Sequence, residues 1–384
     1  MINLFSGKKK IMYIVDIKRT PIGKFLGSLS NLSAPDLTKP LFSYFLKKYP
    51  FLRKNTDEVI IGNVLSAGLG MNPARIAAVN GGINEGVPSY SISHVCASGM
   101  NAVVQGFRAI RAGDANIILA GGMESMSNSP FLLSGTRKGM RFGSKTLVDS
   151  LQHDGLCCSL RNEMMGCVAE YMADKYKIDR KSQDIFALNS HRKAIKAQKD
   201  KIFSNEIIEM EYLKKDECPR DDTSIAKLSA LKPVFKEKGT VTVGNACPIN
   251  DGAALSFIAS KKAVKKYKLK PMARIVDSVF VGLKPEIMGM GPKYAIEKLL
   301  KKNSLTIKDI DLFEINEAFA AQILPVIREL KLDEEKLNIY GGAIALGHPL
   351  GMTGVRIVGT LIRGLKNTSG RLGIASLCVG GGQG

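Results

Sequence analysis

Short apolar runs recur along the chain and alternate with stretches in which apolar positions return every three or four residues. The first half reads as strand Tyr13–Ile17, helix Asp36–Lys48, strand Val59–Val64, helix Pro73–Asn80, strand Ser89–Val95, a helix from Ser98, and strand Asn116–Gly121. The last third repeats the order: strand Ala273–Val276, helix Tyr294–Lys302, strand Leu312–Asn316, helix Ala318–Leu330, strand Leu337–Tyr340, helix Met352–Leu365, strand Leu372–Leu377. Apolar runs separated by helical periods imply parallel sheets covered by helices. The segments GMNAVVQGFRAI and GMTGVRIVGTLI fall on equivalent helices, so the chain reads as a duplication. Between the halves, residues 126–247 have another texture: polar, lysine-rich, predominantly helical or looped. Ala253–Ala259 then reads as a strand returning to the first sheet.

Composition narrows the class. At 384 residues the chain exceeds what one hydrophobic core serves, so two or three packed units are expected. An apolar share of 45% with 38 glycines suits a globular α/β enzyme with many tight turns. No apolar run approaches the roughly 18 residues of a membrane span, and no membrane partner is expected. Seven irregularly spaced cysteines argue against a disulfide framework and for a reducing compartment, here the cytoplasm. The adjacent Cys157 and Cys158 match no zinc spacing, and no metal is expected. Met1–Lys10 lacks the apolar core of a secretory signal, and the terminal GQG is no peroxisomal address. The formal charge of +20 raises nucleic acid as a partner. Yet the lysines are scattered, Lys175–Lys201 alternates with acids like a solvated helix face, and no nucleic-acid module is present. Nucleic acid is therefore not expected.

Candidate chemistry lies at strand ends. Cys96 sits in SHVCASG, between an apolar run and a helix-like run. There a thiol meets unpaired N–H groups and the positive end of a helix dipole, which favour thiolate. Taken alone, Cys96 would read as a buried structural cysteine, and the rest of the chain overturns that reading. GGAIALGHPLGMTG places His348 in a glycine-rich loop before a helix, and CVGGGQG places Cys378 directly after a strand. Glycine at this density lets backbone approach a ligand with its N–H groups outward. Three such loops, each holding Cys or His at a strand end, form a specific constellation.

These motifs, with RTPIG (19–23), GGMES (121–125), GNACPINDG (244–252) and NEAFAA (316–321), run in order over nearly the whole chain, which resembles the thiolase family. The resemblance implies two duplicated α/β halves, helices packed around two mixed sheets, with an inserted loop domain. The units would be 1–125 plus 248–271, 126–247 covering coenzyme A, and 272–384. It implies acetyl-CoA C-acetyltransferase activity, a reversible Claisen condensation of two acetyl-CoA to acetoacetyl-CoA and coenzyme A. Cys96 would carry the acyl group, His348 would take its proton, and Cys378 would remove the α-proton of the second substrate. The backbone N–H groups of Cys96 and Gly380 would form one oxyanion site, and His348 with a water held by Asn316 the other. Asn316 also reads as the cap of the helix that follows. Met165, Phe235, Cys247 and Phe319 would line the pantetheine channel and Arg220 would stack on the adenine. Phe235 and Phe319 as ordinary core aromatics, and Arg220 as a surface charge, are the alternative readings. No permanently bound cofactor is implied, with coenzyme A thioesters as substrates and a homodimer or homotetramer as the assembly.

Departures from the family pattern matter. Cys247 stands where acetyl-specific members carry Ser or Thr, and Met164–Met165 where they carry His-Met, which opens a degradative 3-ketoacyl-CoA thiolase as the alternative. Members also continue past GGGQG into one further strand. His94 shares the strand face of Cys96 by alternation, but the family uses no histidine there and it reads as structural. His153 and His191 read as solvated. A β-ketoacyl synthase shares the fold but pairs its cysteine with two histidines or with a histidine and an asparagine. An idle acyl-CoA carrier would have lost part of the set.

Overall fold

The computed structural model describes residues 11–384, and the segment Met1–Lys10 lies outside them. The elements that build the site are, in chain order, β1 (Met12–Arg19), α1 (Ala34–Lys48), β2 (Glu58–Gly62), α2 (Pro73–Asn80), β3 (Ser89–Ile92), α3 (Ser98–Ala112) and β4 (Ile117–Ser125). Then come α4 (Met165–Tyr176), α5 (Arg180–Lys199), β5 (Asn250–Ser260), β6 (Ala273–Ile275), α6 (Gly291–Lys302), β7 (Leu312–Ile315), α7 (Ala320–Leu330), α8 (Leu350–Asn367) and β8 (Gly373–Ser376).

The larger sheet runs β6-β1-β5-β4-β2-β3. β2 is parallel to β3 and β4, whereas β5 lies antiparallel between β4 and β1. The sheet is thus mixed, not parallel throughout, because β5 returns from the insertion in the opposite sense. Alternation along each strand feeds two cores. Val59, Ile61, Ile117 and Leu119 face α1 and α2. Ile60, Ile118, Ala254 and Ile258 face α3 and α8 with Phe107, Met352 and Val355. With apolar cover on both faces, β4 and β5 are buried at every position.

The second half pairs β7 with β8 in parallel, register Leu312↔Gly373 to Ile315↔Ser376. α8 packs on this pair and on the first sheet, so α3 and α8 form the layer between the halves. Two expected strands come out differently. Ala273–Ile275 joins the first sheet, antiparallel to β1, because Met12 and Ile14 offer it an apolar edge. Leu337–Tyr340 is reduced to a single bridge from Leu337 to Phe313, since Asn338 takes a left-handed φ of 44° and spends its amide on Ile315 and Glu317. A groove of about 780 Å³ runs between β8 and residues 270–280. Within 126–247 the ordered core is α4 and α5, with short antiparallel pairs at 131–149 and 157–164.

Candidate active site

The centre forms where loops of both halves meet over α3 and α8. Cys96 closes a tight turn: Ala97 N–H donates to His94 O at 3.0 Å and Ser98 N–H to Val95 O at 3.0 Å, with Val95 at a left-handed φ of 45°. That turn delivers the thiol to the start of α3. Cys378 follows β8 and is 1% exposed. Its turn is closed by Val379 N–H to Gln383 O at 2.9 Å and Gln383 N–H to Val379 O at 3.1 Å. The backbone N–H groups of Gly380 and of Cys96 itself lie near enough to the Cys96 sulfur to favour its thiolate. Cys96, Cys247 and Cys378 lie close enough for a charge on Cys96 to raise the other two thiols.

Burial, not the helix dipole, governs the thiols. It pushes Cys96 up to about 11 against the pull of those two N–H groups, contrary to the thiolate expected from its place at the helix start. Burial, then the neighbouring cysteines, holds Cys378 well above the ordinary thiol range. Both sulfurs therefore rest as thiols at neutral pH.

His348 is 4% exposed and burial lowers it to about 3, so its ring is neutral. Its hydrogen bonds assign the tautomer. The Thr353 hydroxyl donates to Pro349 O at 2.8 Å, so Thr353 Oγ1 accepts from His348 Nδ1–H at 2.7 Å. Nε2 is left with its lone pair and lies 3.3 Å from Asn316 Nδ2. Asn316 is fully buried and its Oδ1 has no partner among the described residues. It does not cap α7, whose cap position is Phe319. The chain before α7 turns inward because Glu317 is buried against Ser190, Asn338 and Ile344 N–H.

Of the proposed channel residues, four gather beside Cys378. Phe235 and Phe319 meet edge to face at 6.4 Å, Met165 and Phe235 pack on the cluster that contains Phe319 and Cys378, and Cys247 N–H donates to Ala318 O at 3.0 Å. Arg220 stands apart and exposed, its N–H donating to His191 Nδ1 at 3.2 Å. His191 is 1% exposed rather than solvated, since it lies on the inner face of α5, and burial lowers it to about 4. His153 is exposed beside Asp154, as expected.

Three residues without an assigned role in the sequence shape the site. Thr353 orients His348. Asn250 Oδ1 accepts His348 N–H at 2.9 Å, while its Nδ2 donates to Gly23 O at 2.8 Å. Glu124 accepts from Gly351 N–H at 2.8 Å, Leu65 N–H at 3.0 Å, Val64 N–H at 3.1 Å and Asn63 Nδ2 at 2.7 Å, tying the His348 loop to the first half. Burial raises Glu124 to about 7. All three fall inside motifs, Thr353 in GGAIALGHPLGMTG, Asn250 in GNACPINDG and Glu124 in GGMES, which is the signal that could have marked them.

No helix among the described residues is long and apolar enough to cross a membrane. Comparison with known proteins agrees with this architecture. Residues 12–262 match the thiolase N-terminal domain and residues 269–384 the thiolase C-terminal domain. A probable acetyl-CoA acyltransferase of Staphylococcus aureus (strain COL) is 46% identical over 374 residues, 95% of each chain. The crystal structure of the Bacillus anthracis acetyl-CoA acetyltransferase superposes with a TM-score of 0.95 at 40% identity, covering 98% of both chains. Human mitochondrial 3-ketoacyl-CoA thiolase in complex with CoA gives 0.94 at 40% identity, over 97% of this chain and 96% of that one. The chain belongs to the thiolase family and is an acyltransferase of that family.

Proposed function

We propose that this thiolase is an acetyl-CoA C-acetyltransferase working through an acyl group on Cys96. The observation that carries the reading is the meeting of the Cys378 turn of one half with the Cys96 turn of the other, joined by His94 and Gln383 at 2.9 Å and bringing the Gly380 N–H beside the Cys96 sulfur. The resting protonation state suits the thiolysis direction. Neutral His348 takes the Cys96 proton on Nε2 as the sulfur attacks the 3-keto carbon, so thiolate and imidazolium arise together and stabilise each other. The C2–C3 bond breaks, the enolate takes a proton from the Cys378 thiol, and acetyl-CoA departs. The Cys378 thiolate then takes the thiol proton of coenzyme A, whose sulfur attacks the acyl carbon, and Cys96 leaves with the proton held on His348. Condensation is the same sequence reversed. In this reading the N–H groups of Cys96 and Gly380 serve one developing oxyanion and His348 with a water held by Asn316 the other, usually the largest catalytic contribution.

Residues 126–247 cover coenzyme A in this reading, with pantetheine along Met165, Phe235, Cys247 and Phe319 and the adenine toward Arg220. The solved relatives that hold CoA support coenzyme A thioesters as substrates. The assembly is a homodimer or homotetramer. A broader 3-ketoacyl-CoA specificity is favoured by Met164, the residue before Met165 in the chain, and by the equal likeness to a 3-ketoacyl-CoA thiolase. Thiolysis of acetoacetyl-CoA against a long-chain 3-ketoacyl-CoA separates the two, and faster turnover of the long substrate overturns the acetyl reading. Cys96→Ala is expected to abolish the acyl-enzyme seen by mass spectrometry of the intact protein after mixing with acetyl-CoA. Cys378→Ala should still acylate but lose condensation. Full turnover by either variant contradicts the scheme.

A further inference from the structure

The turn Cys378–Gly384 has a task its own composition does not secure. Three successive glycines, Gly380 to Gly382, carry the N–H that meets Cys96, and Gly381 and Gly382 sit at left-handed φ of 80° and 87°. Such a segment has wide conformational freedom unless it is fastened. Its backbone is fastened to its own half, through Leu283 N–H to Gly382 O at 2.8 Å and Gly384 N–H to Val281 O at 3.1 Å. Cys96 belongs to the other half. Among the described residues, the side-chain hydrogen bond that joins the two segments runs from His94 Nε2 to Gln383 Oε1, at 2.9 Å.

His94 is well placed to transmit position. It shares the tight turn with Cys96, its N–H donates to Ser98 Oγ at 2.8 Å, and its ring packs on Phe280 at 5.3 Å between centroids. An amide oxygen can only accept, so Nε2 carries the proton and donates, leaving Nδ1, which is buried without a partner, as the lone-pair nitrogen. A histidine held in this way, two residues from the nucleophile, is more than filler.

We propose that His94 and Gln383 are a positioning pair that sets the distance from the Gly380 N–H to the Cys96 sulfur across the junction of the two halves. The pair touches no substrate and acts through the two turns. This inference rests on the thiolase reading of Cys96 and refines it, pairing Gln383 of the GGGQG motif with His94, where this sequence departs from the family.

The experiment uses the full chain with His94→Ala, Gln383→Ala, the double variant and His94→Gln, whose amide nitrogen reaches the place of Nε2. Two quantities are followed: acetoacetyl-CoA thiolysis, and the pH dependence of Cys96 alkylation by iodoacetamide, read on its peptide by mass spectrometry. Each alanine variant is expected to lose about ten-fold in kcat with KM within about two-fold, since small misplacements of catalytic groups act on the chemical step. The double variant should be no worse than the weaker single one, because both remove the same contact. The alkylation midpoint should move to higher pH in both single variants as the N–H withdraws from the sulfur, and His94→Gln should restore both quantities. An unmoved midpoint and unchanged kcat in the single variants overturn the pair, as do losses that multiply in the double variant. Absence of thiolysis in the wild type instead fails the functional reading, and the alkylation profile still decides the pair.

Discussion

His348 has one ring nitrogen committed and the other free, and the commitment comes from Thr353, five residues on. Thr353→Val keeps the shape and removes the acceptor. A buried N–H left unpaired costs about 1–3 kcal/mol, and the ring can relieve this by moving its proton to Nε2, where it would no longer act as a base. The valine variant is expected to lose about ten-fold or more in kcat with little change in KM. Wild-type kcat in that variant would contradict the tautomer assigned here. The same residue makes a pH prediction. In the proposed scheme His348 must be neutral to accept a proton, and burial has lowered it to about 3. Between pH 6 and 8 the kcat/KM profile should therefore show no acid limb near 6.5, and an inflection there that vanishes in His348→Asn would be the contrary result. For stability the sign follows from linkage. A histidine lowered by folding contributes in full above its unfolded value near 6.5, and that contribution is lost as pH falls toward 3.

Elements and motif positions were legible where the signal is local. The strand and helix order of the first half, the placement of Cys96 and Cys378 just after strands, and that of His348 in a glycine-rich loop before α8 all follow from periodicity and loop composition, although the strand expected before the His348 loop is absent. Partners far apart in the chain were not legible. Arg19 opens the RTPIG motif, yet its reason for being there lies 187 and 197 residues away, at Glu206 and Asp216. The guanidinium, 2% exposed, donates Nε to Glu206 at 2.7 Å and Nη1 to Asp216 at 2.6 Å, fixing the end of β1 to the insertion. Strand 337–340 failed for a related reason, since Asn338 serves Glu317 rather than a ladder. The protonation of Cys96 failed because burial cannot be read from a motif. Arg19→Met leaves the buried Asp216 carboxylate without its cation and Glu206 with Arg363 at 3.6 Å, and is expected to cost about 3–5 kcal/mol. With no tryptophan in the chain, denaturant unfolding followed by far-UV circular dichroism is the suitable measurement. A loss below about 1 kcal/mol would mean that the triad contributes no more than a surface ion pair.

At the scale of the whole molecule, the site exists only if the two halves approach closely enough for loops of one to reach sulfur on the other. The approach is set by backbone on backbone. A Cβ on Gly122, in β4, would lie 1.9 Å from Gly351 O, and one on Gly354, in α8, 2.3 Å from Met100 N in α3. Neither clash can be relieved by rotating a side chain, so the start of α8 must move, and His348 and Thr353 lie at that start. Gly122→Ala should therefore act twice: overpacking costs about 1–3 kcal/mol, and displacement of His348 lowers kcat by far more than the stability loss explains. Gly282→Ala, whose added methyl meets nothing within 4 Å, is the matched control. The comparison is kcat for acetoacetyl-CoA thiolysis measured well below the melting temperature of each variant. If Gly122→Ala melts lower yet keeps the kcat of the control, the junction stabilises the fold without setting the active-site geometry. If kcat falls by about a hundred-fold while the secondary structure is retained, the close approach of the halves is itself part of the catalytic apparatus.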